Sequence, residues 1–120
     1  IVPGKAAHGA LRAEGVSPFD KYVPLYNAIR DFEAQRNDAL DDQLFAEYEI
    51  PLAICIGKVW SGSWPSTEAE SLTCEGRIGI GCDEEPEDVR QAFGALIHET
   101  AQRDLPPCEA CHTAQICAYS

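Results

Sequence analysis

Two stretches near the middle of the chain alternate between large apolar and small or polar side chains. One face of an extended chain collects Ile50, Leu52, Ile54 and Ile56 from the first stretch, then Leu72, Cys74, Ile78 and Ile80 from the second. A period of two places successive side chains on opposite faces of a strand. Because turn-forming residues separate the stretches at 61–66, the pattern predicts an antiparallel pair of strands with one buried face.

Helical patterns flank this pair of strands in the sequence. Ser17 followed by Pro18 is typical of a helix start, but Pro24 lacks an N–H and is expected to interrupt, so the first principal helix is predicted over 24–36. A second helix is predicted over 86–103, after a run of acidic residues that favours a helix N-terminus. The predicted core consists of Leu25, Ile29, Ile54, Ile78, Ile80, Phe93 and Ile97.

The order of these elements predicts an α+β fold. We expect an antiparallel sheet with two principal helices packed on one face, and the nearest common arrangement is the ferredoxin-like (split βαβ) topology. That topology requires Ile1 and Val2 to add an edge strand and residues 112–119 to form a last strand. A chain of 120 residues holds one core, so we predict a flexible N-terminal arm over 1–16 and a single domain over 17–120.

The charge balance excludes two classes of partner. The chain carries 9 basic and 20 acidic side chains, for a net charge of −11. A surface this negative repels phosphate backbones and anionic lipids, so neither nucleic acid nor a membrane surface is an expected partner. No apolar run approaches the roughly 20 residues that a membrane-spanning helix needs.

The chain contains six cysteines and no methionine: Cys55, Cys74, Cys82, Cys108, Cys111 and Cys117. An even number of cysteines in a small acidic domain favours disulfides and an oxidising compartment, so a secreted, extracellular, disulfide-stabilised protein with its leader removed is expected. A disulfide between Cys74 and Cys82 is disfavoured, and so is one between Cys111 and Cys117, because an extended strand would hold the two cysteines of each pair too far apart. Bridges from the C-terminal cysteines to the central strands are favoured, and the pairing itself stays open.

One motif near the C-terminus resembles a cofactor attachment site. Cys108, Cys111 and His112 match C-x-x-C-H, the attachment signature of c-type haem, and the same side chains could bind zinc. A thioredoxin-like role requires this motif between a strand and a helix, whereas here it follows two prolines. The absence of a methionine ligand and the predicted strands count against haem, so no cofactor or metal is predicted.

No coherent catalytic set is visible, so no catalytic residue is predicted. The three histidines stand far apart, at positions 8, 98 and 112, and no nucleophile motif accompanies them. The turn between the predicted strands does carry Trp60, Trp64 and Pro65, and exposed aromatic side chains on a rigid turn are typical binding anchors. These three residues are the candidates for an interaction site; the alternative is that at least one tryptophan packs over the sheet edge.

The length, the cysteine content and the α+β pattern resemble those of the small, secreted, cysteine-rich effectors of plant-pathogenic fungi, some of which have the KP6-type killer-toxin scaffold. This resemblance implies a non-enzymatic virulence or avirulence protein that binds a host protein target or an immune receptor. The alternative is a small secreted enzyme or enzyme inhibitor, and a c-type haem protein is the third hypothesis. The sequence does not fix the oligomeric state.

Overall fold

Three strands and two long helices form the framework of the chain, which a computed structural model describes over residues 1–41 and 43–104. In chain order the elements are β1 (Val2–Pro3), a 3-10 helix (Gly9–Glu14), α1 (Pro18–Asp38), a short 3-10 helix (Gln43–Phe45), β2 (Ile54–Ser61), β3 (Ser71–Ile78) and α2 (Pro86–Asp104). None of the described helices is both long and apolar enough to cross a membrane.

The sheet has the order β1-β3-β2, and both outer strands run antiparallel to β3. β1 and β2 therefore run in the same direction on either side of β3 and are joined by α1, which is the split β-α-β arrangement. The predicted α+β fold with an antiparallel sheet and two main helices is confirmed. The expected edge strand at Val2 is present, whereas the strand predicted over 112–119 lies outside the described residues.

Helix α1 begins earlier than the sequence predicts. The Ser17 hydroxyl accepts a hydrogen bond from the Phe19 N–H, and the helix then continues through Pro24 to Asp38. Residues on both sides of the proline are buried, including Lys21, whose ammonium donates to the Pro3 carbonyl at 2.8 Å, and Leu25. This docking of the first turns outweighs the backbone hydrogen bond that the proline cannot make, so the prediction of an interruption at Pro24 is wrong.

The core lies between the sheet and α1, with α2 packed against α1. Its buried cluster consists of Val2, Leu25, Ile29, Ile54, Leu72 and Ile97. Four of the predicted core residues are therefore buried, and Ile78 and Phe93 pack against the cluster as partly buried side chains. The prediction for Ile80 is wrong, because β3 ends at Ile78 and the side chain two residues later is 42% exposed.

The described cysteines do not form disulfides. Cys55, Cys74 and Cys82 all carry free thiols. Cys55 and Cys74 lie on adjacent strands, but their side chains point to opposite faces of the sheet because Cys55 pairs with Arg77 and Cys74 with Val59. Within the described residues the fold is thus maintained without a disulfide, contrary to the expected disulfide-stabilised domain. Cys108, Cys111, Cys117 and the C-x-x-C-H motif lie outside those residues.

Residues 1–16, for which the sequence predicts a flexible arm, are hydrogen-bonded to the rest of the chain at several points. The N–H of Gly4 donates to the Glu70 carbonyl at 2.8 Å, next to the pairing of β1 with β3. Further along, His8 forms an isolated bridge with Thr67. This bridge places the start of the 3-10 helix beside the turn that connects β2 to β3.

A candidate association surface on the edge strand

Strand β2 forms one edge of the sheet, and no other described strand pairs with its outer side. The backbone N–H and C=O of Leu72 point towards β1 and therefore away from β2. Because the backbone groups of successive residues alternate in direction, those of Cys74, two residues further on, also point away from β2. Their partners in β2, Ser61 and Val59, therefore present N–H and C=O groups along the outer edge. Such a row of unpaired backbone groups is a template for pairing with another strand.

The N-terminal end of this edge is closed by side chains of α1. The Ile54 N–H donates a short hydrogen bond to the carboxylate of Glu33, and the Ile54 carbonyl accepts one from the Arg30 guanidinium. Arg30 also donates to Glu33 at 3.3 Å, which fixes both side chains against the strand. The open part of the edge consequently runs from Ile56 to Ser61.

A bulge at Gly57 separates Ile56 from Lys58 in the pairing with β3. The extra residue keeps Ile56 and Val59 on the side of the sheet that faces the helices, and it leaves Lys58 and Trp60 on the opposite side. There the Lys58 ammonium lies 4.6 Å from the centre of the Trp60 ring, a cation–π contact. The open edge thus has an apolar side towards α1 and a polar, aromatic side away from it.

Exposed apolar side chains of α1 continue the surface of the edge. Phe19, Val23 and Tyr26 recur at helical spacing, so they form one stripe, and Val23 is 57% exposed. The Arg30 guanidinium lies 5.4 Å from the Tyr26 ring centre and also binds β2, which places the stripe beside the strand. Val59 in β2 is 47% exposed. We call Phe19, Val23, Tyr26 and Val59 the edge patch.

The predicted interaction residues lie at the C-terminal end of β2. Trp60 is 44% and Trp64 is 65% exposed, and Pro65 is exposed as well. The turn that carries them contains Gly62 at φ 76°, a conformation that favours glycine. Residues 61–69, together with Gly9 and Phe19, line an open groove of about 520 Å³. Trp64 and Pro65 therefore border a groove that adjoins the edge patch at Phe19, and their role in binding stays a prediction.

The stripe on α1 and the closed end of β2 were not predicted from the sequence. The signal for the stripe was present, because Phe19, Val23 and Tyr26 follow a helical period on a different face from Leu25 and Ile29. A helix with two apolar stripes on different faces can bury only one of them against its own core. The contacts of Arg30 and Glu33 with Ile54 had no such signal, since they depend on how α1 crosses the sheet.

A tyrosine and a cysteine interact beneath the edge patch. Burial raises the pKa of the half-buried Cys74 thiol, and burial together with the neighbouring Cys74 raises the pKa of the Tyr22 hydroxyl. The Tyr22 hydroxyl and the Cys74 thiol lie close enough to influence each other's ionisation. Both groups are therefore held in their neutral forms.

This pair should make the stability of the fold fall at alkaline pH. For an acid with a raised pKa in the folded state, the stabilisation is complete below the unfolded pKa, here 9.0 for cysteine, and is lost as the pH rises through the folded value. We expect the urea midpoint to decrease above about pH 9. The variant Tyr22→Phe should show a weaker decrease. Equal slopes for the two proteins between pH 8 and 11 would contradict this account.

The described residues do not bring together a catalytic or metal-binding set. They contain no group of three or more His, Cys, Asp or Glu side chains that could bind a metal ion. His8 accepts a hydrogen bond from the Ala10 N–H through Nδ1, and His98 lies exposed on α2. The features that stand out on the surface of this part of the chain are the open edge of β2 and the edge patch, both suited to contact with another surface.

Comparison with known proteins gives that contact a context. The sequence model of one family, described as Peptidase dimerisation domain (M20_dimer), matches residues 1–104. The chain belongs to this family. A search of curated proteins finds no significant match.

Membership of a peptidase dimerisation family corrects the functional expectations. The resemblance to fungal effectors is wrong, and with it the non-enzymatic virulence function, because that resemblance depended on size and cysteine content and not on a shared motif. The expectation of a protein partner stands in its general form, since a dimerisation domain associates with protein. A host target or an immune receptor as that partner is not supported.

Proposed function

We propose that this chain is the dimerisation module of an M20-type peptidase and that two copies associate edge to edge through β2. The observation that carries the proposal is the open edge from Ile56 to Ser61, flanked by the exposed apolar edge patch. A free edge with exposed apolar side chains on it is a liability unless another chain covers it.

The geometry of the edge determines how two copies would meet. Identical edges pair around a two-fold axis perpendicular to the sheet, which makes the two β2 strands antiparallel and sets the helices of both copies on the same face. The α1 stripes then lie side by side above the new strand pair. Contact between the copies would bury Val23, Tyr26 and Val59, which are about half exposed, so each would contribute roughly half of the ~1.5–3 kcal/mol that a fully exposed side chain gains on burial.

The proposal assigns this chain an assembling role and not a hydrolytic one. Its link to a peptidase comes from the family; of its described histidines, His8 accepts a hydrogen bond from the Ala10 N–H and His98 is exposed on α2. The activity that it would support is that of the peptidase to which the module belongs.

Replacing Val59 by proline should prevent dimer formation while leaving the domain folded. The Val59 N–H points to the outer edge, so its removal costs no bond to β3, but the proline ring blocks an incoming strand. We expect the dimer dissociation constant to rise at least 30-fold, about 2 kcal/mol. Sedimentation velocity over a concentration series measures this constant.

Two controls separate association from folding. Trp60 directs its backbone towards β3, so Trp60→Pro should disrupt the sheet itself and lower the melting temperature, which Val59→Pro should not. The side chain of Ile1 is about as exposed as that of Val59, but it lies next to β1, at the opposite edge of the sheet from β2. Ile1→Ala should therefore leave the dissociation constant unchanged. A wild-type chain that sediments as a monomer at all concentrations, or a Val59→Pro variant that dimerises normally, would contradict the proposal.

A further inference from the structure

The groove lined by Phe19 and Trp64 lies at the end of β2 where the α1 stripe begins. It is open to solvent, and the tryptophan on its rim is one of the most exposed large apolar side chains among the described residues, at 65%. The groove is therefore continuous with the edge through which the proposed dimer forms, and a partner that covers the edge patch also reaches the groove.

The closed end of β2 restricts how two copies can align. Because Glu33 and Arg30 occupy the backbone groups of Ile54, the strands can pair only over the open segment from Ile56 to Ser61. A two-fold axis at the middle of that segment sets the residues just before β2 of one copy beside the turn just after β2 of the other.

The segment that precedes β2 carries exposed apolar side chains. In the connector, which we define as residues 43–53, Tyr48 is 65% and Ile50 is 51% exposed. The Tyr48 ring packs against Phe45 with ring centres 6.5 Å apart, so its position is partly fixed. Within one copy the connector and the groove lie at opposite ends of an eight-residue strand, about 26 Å apart. A copy therefore cannot fill its own groove with these side chains.

We infer that in the dimer each groove receives the connector of the other copy, with Tyr48 and Ile50 as the apolar anchors against Phe19 and Trp64. This inference depends on the proposed function, because it requires the β2 strands to pair. A stable interface buries about 800 Å² per partner, and the connector contact adds to the area that the strand edge and the edge patch provide. The two-fold axis repeats the connector contact at both ends of the strand pair and so extends the interface along its whole length.

The fluorescence of Trp64 tests this inference directly. The chain has two tryptophans, so the variant Trp60→Phe leaves Trp64 as the only one. If the partner's connector covers Trp64, its emission should shift to shorter wavelength as the concentration rises through the dimer dissociation constant. In the complementary variant Trp64→Phe the remaining tryptophan is Trp60, on β2, so its change in emission on association reports on strand pairing and not on the groove.

Substitutions in the connector identify the occupant of the groove. In the Trp60→Phe background, Tyr48→Ala combined with Ile50→Ala should raise the dissociation constant at least tenfold and abolish the shift of Trp64 emission in the dimer that remains. The matched control is again Ile1→Ala, which should change neither quantity.

The possible outcomes distinguish this inference from the proposed function. A dimer whose Trp64 emission does not change on association, or whose emission still shifts after the two connector substitutions, overturns the inference and leaves the proposed dimer intact. A chain that never dimerises overturns both. If the two connector substitutions abolish the shift of Trp64 emission and also raise the dissociation constant at least tenfold, the result supports the connector as the occupant of the groove.

Discussion

Substitution of Gly76 by alanine is expected to destabilise the domain by about 3 kcal/mol, the upper end of what overpacking usually costs. A Cβ atom at this position would collide with the Cys55 carbonyl oxygen and would lie 3.1 Å from the Ile56 Cα. Both neighbours are backbone atoms of the adjoining strand, opposite the bulge, and cannot rotate away. Urea unfolding in the Val59→Pro background measures the change without a contribution from association.

A second glycine provides the matched control. A Cβ atom at Gly57, the unpaired bulge residue next to the Ile56 that pairs with Gly76, would meet only the Cys55 sulfur at 3.9 Å, which is ordinary contact. Gly57→Ala should therefore change the free energy of unfolding by less than about 1 kcal/mol. Equal destabilisation by the two substitutions would show that the close approach of the strands is not what requires glycine at position 76.

Truncation of Leu72 should have a similar effect for a different reason. Its side chain is 1% exposed, on the central strand, where it contributes to the core cluster with Leu25 and Val2. Leu72→Ala leaves a cavity that the surrounding elements can only partly close, and we expect a loss of about 3 kcal/mol.

The control for Leu72 is a leucine in solvent. Leu44 is 75% exposed, so Leu44→Ala should alter stability by no more than about 0.5 kcal/mol. The same urea titrations serve for both proteins. A small effect at Leu72 would mean that the sheet can rearrange around it, and the assignment of the core would then be incorrect.

Local patterns in the sequence predicted the framework well. The alternation around Ile54 and Leu72 predicted a strand in each region, although β2 begins four residues after Ile50; the helix-start signal at Ser17 was correct, although the principal helix was predicted to begin only at Pro24. What failed were the positions where tertiary contacts override local preference. Pro24 remains helical because the residues around it are buried, and Ile80 is exposed because the strand ends before it.

The candidate site was predicted only in part, and the function was not. Trp64 and Pro65 were selected because aromatic side chains on a turn favour binding, and both are exposed. The cysteine count pointed to an incorrect class of protein, since a count says nothing about whether thiols such as those of Cys55 and Cys74 lie on the same face of a sheet. The open edge of β2 could not be predicted, because it depends on the order of strands in space and not along the chain.

The difference between the two outer strands governs how far assembly can proceed. Among the described residues, β1 offers an edge of only two residues, and one of them, Pro3, has no N–H to donate, whereas β2 offers a longer edge that α1 closes at one end. A molecule with two equivalent edges would add neighbours without limit and grow into a ribbon, as amyloid-forming chains do. Within residues 1–41 and 43–104, only β2 offers an edge long enough to pair, so assembly through the described edges would stop once two copies have met.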